Sequence, residues 1–282
     1  MLPIIFEIPL PFEIFGHDHL PIRGFGLMVV LALIGGNWIA VRLGRKDGLD
    51  EEKMSNLFVV FTIAMVVGAR AFYVLTNLDR FRDDPMAAFA LHQGGMVFYG
   101  SFIGAFIAVP WYCRRAGLPI LRVLDVYAVG AALGQGIGRI GCLLVGDDYG
   151  KACSEDLPWR IMFSTRSQDG SFLGITIPAD NGNLCALAGQ WLHPAQIYMS
   201  INGFLLCLVL RALWYRRRFE GQVVAVFVML YAITRSVIEL YRGDADRGFV
   251  GPLSTSQFVS LFVFVAGAVS YWLAWRRSQK LA

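Results

Sequence analysis

Apolar residues run in long blocks along this chain, near positions 24–43, 56–78, 95–113, 121–146, 195–214, 222–241 and 254–275. As helices at 1.5 Å per residue these blocks span a large part or all of roughly 30 Å of hydrocarbon, and the pattern predicts about seven transmembrane helices. The polar stretches between them are short except one, about 147–192, which is rich in Gly, Asp, Ser and Pro. Within it, "WRIMFST" and "FLGITIP" carry the β-branched and apolar residues of short strands or hairpins. A loop this long is functional or disordered, and its apolar runs favour an ordered external head over 147–192. Residues 1–23 have no basic leader, carry Glu7 and Glu13 and contain four prolines. That composition argues against a cleaved signal peptide and predicts a short extramembrane or interfacial arm.

Composition agrees with the periodicity. Of the 282 residues, 56% are hydrophobic and 16% charged, with a mean hydropathy of +0.54, outside the range of soluble globular chains. The expected fold class is an all-α polytopic membrane protein, a single domain over 1–282. The five cysteines form no C-x-x-C pair and no metal-ligand spacing. Cys113, Cys142 and Cys207 read as helix-packing residues, while Cys153 and Cys185 share the long loop and leave a disulfide open. No pattern points to a metal, a cofactor or a nucleic-acid partner, and oligomeric state is not written in the sequence.

Basic residues fix the expected orientation. Arg42, Arg45, Lys46 and Lys53 follow the first block, Arg114, Arg115 and Arg122 the third, Arg211, Arg216, Arg217 and Arg218 close the fifth, and Arg276, Arg277 and Lys280 end the chain. The alternate loops mix few bases with acids such as Asp79, Asp147, Asp148 and Glu155. The amino terminus is therefore expected outside and the carboxyl terminus in the cytoplasm.

Charges inside apolar blocks cost about 2.5–3.5 kcal/mol each even on insertion scales, so each needs a reason. Arg70, Arg139 and Arg235 lie in the second, fourth and sixth blocks, with Glu239 one turn after Arg235. With the expected topology all three arginines fall in the outer portion of their helices, and Arg23 lies at a similar depth. Arginines gathered at one level repel unless an anion sits among them, and a lipid phosphate matches the guanidinium fork. The simpler alternative is local pairing: Arg235 with Glu239 at i, i+4, and Arg139 with Asp147 or Asp148.

Other motifs are weaker. "GIGRIG", Gly136 to Gly141, fits G-x-G-x-x-G in form, but a dinucleotide loop needs a strand before it and a βαβ unit around it. The spacings Gly130, Gly134, Gly138 and Gly100, Gly104 instead fit close helix packing. Tyr99 in "HQGGMVFYGSFIG" lies level with the arginines, and otherwise belongs to an interfacial aromatic belt. His193, before Pro194 at the start of the fifth block, is either an N-terminal capping or interfacial residue or a proton carrier.

Taken together, "IRGFGLM", "GAR", "GGMVFYGSFIGA", "GRIGCLLVGDDYG", "LHPAQIY" and "TRSVIELYRGDAD" resemble, in order and spacing, the bacterial prolipoprotein diacylglyceryl transferases. The resemblance implies a multi-pass protein of the bacterial inner membrane with a periplasmic head. It implies transfer of the diacylglyceryl group of phosphatidylglycerol to the lipobox cysteine of a prolipoprotein signal peptide, with glycerol phosphate released. By motif position, Arg139, Gly150, Arg235 and Glu239 coincide with residues that family uses. The catalytic candidates are Arg139, Arg235, Glu239 and Tyr99, and the phosphatidylglycerol-binding candidates are Arg139, Arg70, Arg23, Phe25, Cys142, Asp147, Gly150 and His193.

The sequence departs from the family pattern at four of these. Cys142 stands where the signature has asparagine, Asp147 where it has glutamate, Phe25 where tyrosine is common and Tyr99 where histidine is frequent. A tyrosine has a reference pKa near 10 against about 6.5 for histidine, so the residue that takes the thiol proton is open among Tyr99, His193, Glu239, Asp147 and water. An alternative is a paralogue that binds phospholipid or lipoproteins without the chemistry. A solute transporter would put its charges at the bilayer midplane, which these are not.

Overall fold

The computed structural model describes residues 4–14, 17–82, 85–89, 95, 97–164, 175–176, 189–243 and 248–281. Seven α-helices carry this part of the chain: α1 Gly24–Lys46, α2 Glu51–Thr76, α3 Phe98–Ala116, α4 Ile120–Val145, α5 Ala195–Arg216, α6 Gln222–Glu239 and α7 Thr255–Leu281. Each of the seven apolar blocks thus holds one of these helices. Six of the helices are long and apolar enough to cross a membrane. The remaining one, α3, has 19 residues and spends its last turn on Arg114 and Arg115. Apolar side chains point outward along these helices, Phe106 being 84% exposed and Val67 59%, as expected of helices whose surroundings are lipid. The protein is an all-α multi-pass membrane protein.

Basic residues close α1 (Arg45, Lys46), α3 (Arg114, Arg115), α5 (Arg216) and α7 (Lys280). Arg70, Arg139 and Arg235 each lie in the last third of their helix. The chain packs as two compact units, Met1–Ala40 with Asp125–Ala282, and Val41–Leu124.

In the smaller unit α2 packs along α3. A Cβ on Gly68, Gly100 or Gly104 would come within 2.3 Å of a facing carbonyl oxygen, so these helices touch backbone to backbone, as the Gly100/Gly104 spacing predicts. Arg70, 8% exposed, donates Nε to the Ala88 carbonyl at 2.8 Å, Nη1 to Gly95 at 2.9 Å and Nη2 to Ala87 at 2.7 Å. Its guanidinium also lies 5.4 Å from the Tyr73 ring and 5.7 Å from Phe81. In α3, the ring of Tyr99 is 70% exposed.

In the larger unit, β1 Ile4–Ile14 and β2 His17–Arg23 form an antiparallel hairpin, so the expected arm is a β-ribbon leading into α1. Gly36 meets Gly130 and Gly203 meets Gly136 too closely for a Cβ, which docks α4 against α1 and α5. Gly138 departs from the expected packing stripe: a Cβ there would meet nothing within 4 Å. Asp125, fully buried, accepts from the Gly221 N–H at 2.8 Å and Val224 N–H at 2.9 Å, so α4 caps the amino end of α6. The long loop holds β3 Ile161–Ser164, β4 Ile175–Thr176 and β5 Trp191–Leu192. The two predicted apolar runs do pair, but in parallel rather than as a hairpin, and β5 adds antiparallel to β3. Cys113, Cys142 and Cys207 are buried free thiols, whereas Cys185 lies outside the described residues.

Candidate functional site

The segment after α4 is built by its glycines and aspartates. Gly146, at φ +74°, ends the helix, its N–H bonding the Leu143 carbonyl while Asp147 N–H bonds Cys142. This is the paired closure that a left-handed glycine permits. Asp148 follows at φ +56°, the one non-glycine with positive φ among the described residues. Asp147 helps to set this turn, because its Oδ1 accepts the Asp148 N–H at 2.9 Å. A short polar residue tolerates this conformation where its surroundings impose it.

The turn brings the Asp148 carboxylate back against two arginines. One oxygen pairs with Arg139 Nη1 and the other with Arg242 Nη2. Arg242 Nε lies 4.0 Å from Glu239 Oε2, and Glu239 pairs with Arg235. Arg235 also donates to Ser256 Oγ at 3.0 Å. Ser256 sits in the first turn of α7, fixed by a reciprocal cap: Gln257 N–H donates to Ser254 Oγ at 3.2 Å, and Ser254 N–H to Gln257 Oε1 at 3.1 Å. Arg139 and Arg235, predicted separately, thus end one chain of ion pairs whose middle is Asp148, Arg242 and Glu239. Side-chain exposure is 21–22% at Arg139 and Asp148, 8% at Arg242, 1% at Glu239 and 11% at Arg235, so the Arg139 end is the most exposed part of the chain.

The backbone around this chain is a narrow clamp. Gly150 bridges Arg242, Gly243 N–H bonds the Tyr149 carbonyl at 3.0 Å, and Lys151 N–H bonds Tyr241 at 2.8 Å. On the other side His193 N–H bonds the Lys151 carbonyl at 2.9 Å. A Cβ on Gly150 would lie 2.0 Å from the His193 carbonyl oxygen, and one on Gly243 would lie 2.5 Å from that of Gly150. Both positions require glycine on contact alone.

Of the other candidates in this unit, Cys142 is buried and its sulfur accepts from Arg139 Nη1 at 3.7 Å. Phe25 lies against α4, 3.3 Å from where a Gly141 Cβ would stand, and Arg23 ends β2 with its side chain exposed. His193 does not cap α5; its Nδ1 is 3.1 Å from the Tyr198 hydroxyl, which also accepts from Trp159 Nε1 at 2.9 Å. Gln196, fully buried, donates to the Asp147 carbonyl at 2.8 Å and steadies the same turn.

A model of the prolipoprotein diacylglyceryl transferase family matches residues 11–273. The chain belongs to this family. It is 36% identical over 261 residues to the phosphatidylglycerol–prolipoprotein diacylglyceryl transferase of Clostridium tetani, covering 92% of this chain and 94% of that one. It is similar to the corresponding transferase 2 of Clostridium perfringens, at 34% over 261 residues, 92% of each chain. The Yersinia enterocolitica transferase is 31% identical over 275 residues, 94% of this chain and 93% of its own.

In this family member, Arg242 is the charged residue that sequence reasoning passed over. Its signal was present: "RSVIELYR" repeats basic and acidic residues at helical spacing from Arg235 through Glu239 to Arg242. Asp148 was named only as one of two partners for Arg139, and the structure selects it over Asp147 because the left-handed turn directs its carboxylate inward.

Proposed function

We propose that this chain transfers the diacylglyceryl group of phosphatidylglycerol to the lipobox cysteine of prolipoprotein signal peptides, the first step of bacterial lipoprotein maturation. The observation that carries the proposal is the ion-pair chain from Arg139 to Arg235, which gathers three guanidinium groups at the carboxyl-terminal ends of α4 and α6 in a member of this family. Such a group recognises a phosphate by charge and by paired N–H donors.

In the reaction the acceptor sulfur, as thiolate, forms a bond to the terminal glyceryl carbon. The bond between that carbon and the phosphate oxygen breaks, and its electron pair leaves with glycerol phosphate. Arg139 and Arg235 stabilise the charge growing on the departing phosphate. Glu239, held between Arg235 and Arg242, keeps both guanidinium groups oriented. Cys142 supports Arg139 from within the bilayer, Gly150 and His193 hold the clamp, and Asp147 shapes the turn. Arg23 and Phe25, at the start of α1, line the approach of the lipid. Arg70 holds the loop entering α3 through its carbonyl contacts, and Tyr99, exposed at the start of that helix, meets lipid or the incoming peptide. The head and the arginines face the periplasm, with the carboxyl terminus in the cytoplasm.

Complementation tests this reading. In a bacterium depleted of its own transferase, the parent chain restores lipid modification and Arg139→Ala does not. Unmodified prolipoprotein accumulating with the parent stably present in the membrane would overturn it.

A further inference from the structure

The residues around Arg139 on α4 sort by direction. At about 100° of rotation per residue, Gly134 and Gly141 share one flank of the helix and Gly136 lies on the other. A Cβ on Gly134 would stand 3.1 Å from the Ala32 carbonyl oxygen, and one on Gly141 would stand 3.0 Å from Met28 Cβ, so α1 covers the first flank. A Cβ on Gly136 would stand 2.9 Å from the Phe204 ring, and the Gly136 carbonyl accepts from Ser200 Oγ at 2.7 Å, so α5 covers the second. Between the flanks runs a strip at i, i+3, i+4 and i+7: Gln135, Gly138, Arg139 and Cys142.

Packing does not close this strip at its middle, because a Cβ on Gly138 would meet nothing within 4 Å. Gln135 lies on it one turn, about 5.4 Å, deeper in the apolar helix than Arg139. Its Nε2 is buried and finds no hydrogen-bond acceptor among the described residues. A buried donor without a partner is rare in a folded protein, and in an apolar span the surrounding hydrocarbon offers none.

A phospholipid brings the missing acceptor. Its nearer ester is separated from the phosphate by two glyceryl carbons, so a phosphate at Arg139 sets an ester carbonyl at about the depth of Gln135, one helical turn below. We propose that Gln135 is a lipid-binding and specificity residue: its carboxamide donates to an ester carbonyl of the diacylglyceryl group, and the site thereby prefers ester-linked to ether-linked donors. The proposal rests on the transferase reading above and extends it from the phosphate to the group that is transferred. The carbon under attack lies between the phosphate and the ester-bearing carbon, and holding both ends fixes its position for the incoming sulfur.

The test uses the purified full chain in detergent, a lipobox peptide as acceptor and two donors, dioleoyl phosphatidylglycerol and the phosphatidylglycerol carrying the same chains through ether bonds. The carbon–oxygen bond that breaks is the same in both. The parent is expected to favour the diester in kcat/KM by about tenfold, the scale of leaving one buried donor unpaired. Gln135→Met and Gln135→Leu remove the amide but suit an apolar helix. Each is expected to lower kcat/KM for the diester by about tenfold and to leave the diether nearly unchanged, so that the preference disappears.

A parent that uses both donors equally overturns the assignment, and this measurement needs no variant. So does a preference that survives in Gln135→Met and Gln135→Leu, including the case in which both donors weaken by the same factor, as a residue needed only for packing would give. No transfer from either donor sinks the transferase reading and this assignment with it, whereas transfer without the predicted preference sinks only the role of Gln135.

Discussion

Arg139 and Asp148, nine residues apart on either side of a helix end, are joined by an ion pair that exists because Gly146 and Asp148 both take left-handed backbone conformations. The arginine comes from an apolar helix and the carboxylate from the loop beyond it. Their meeting places an ion pair at the carboxyl-terminal end of an apolar helix.

Truncation of either terminal arginine should abolish most turnover. Arg139→Ala and Arg235→Ala are each expected to lower transfer by about 10²–10³-fold, the usual effect of removing one preorganised donor to a developing charge. Steady-state transfer to a lipobox peptide checks this, with KM for the lipid changing less than kcat.

Two glycines of the same motif should respond in opposite ways. Gly150→Ala drives a methyl group into the His193 carbonyl and is expected to cost about 1–3 kcal/mol along with activity. Gly138→Ala meets nothing within 4 Å and is expected to be tolerated or to stabilise by about 0.5–1 kcal/mol through helix propensity. Thermal unfolding in detergent compares the two directly.

At the other end of α4, Asp125 offers a test of stability separate from chemistry. Asp125→Ala strands the Gly221 and Val224 N–H groups and is expected to destabilise by about 2 kcal/mol. Asp125→Asn, which keeps one acceptor, should lose less. A lowered melting temperature with Arg139-dependent transfer to a lipobox peptide retained below that temperature is the expected result.

Tyr99 and His193 can be separated by single substitutions. The exposed Tyr99 ring is expected to tolerate Phe within about tenfold, because general base catalysis typically contributes 10²–10⁴-fold and its loss would be plain. His193→Gln is expected to fall further, since its ring anchors the hydroxyl of Tyr198. The pH profile of transfer in both variants reports which of the two handles a proton.

The helices were legible in the sequence because lipid imposes one rule on every residue of a span, so that apolar length alone marks them. Arg139, Arg235 and Glu239 stood out for the same reason, as charges in the wrong solvent. What sequence could not supply was the partner choice at Asp148, because φ at one residue decides which of two adjacent aspartates turns inward. Arg242 was missed although its spacing was visible, because it lies just past the apolar block where a charge needs no explanation. Gly138 was misassigned to packing because a small-residue spacing marks a helix face, and the neighbour needed to fill that face is a tertiary fact.

The clamp around Gly150 is made of peptide groups: Tyr149, Lys151, Tyr241 and His193 contribute N–H and carbonyl, not side chains, to hold it. Main-chain bonding is indifferent to what each residue carries on its Cβ. Related enzymes can therefore drift at Tyr149 and Lys151 while the backbone of the clamp stays in place. Only the two glycines are denied that freedom, so side-chain change in this segment is expected to proceed around them and never through them.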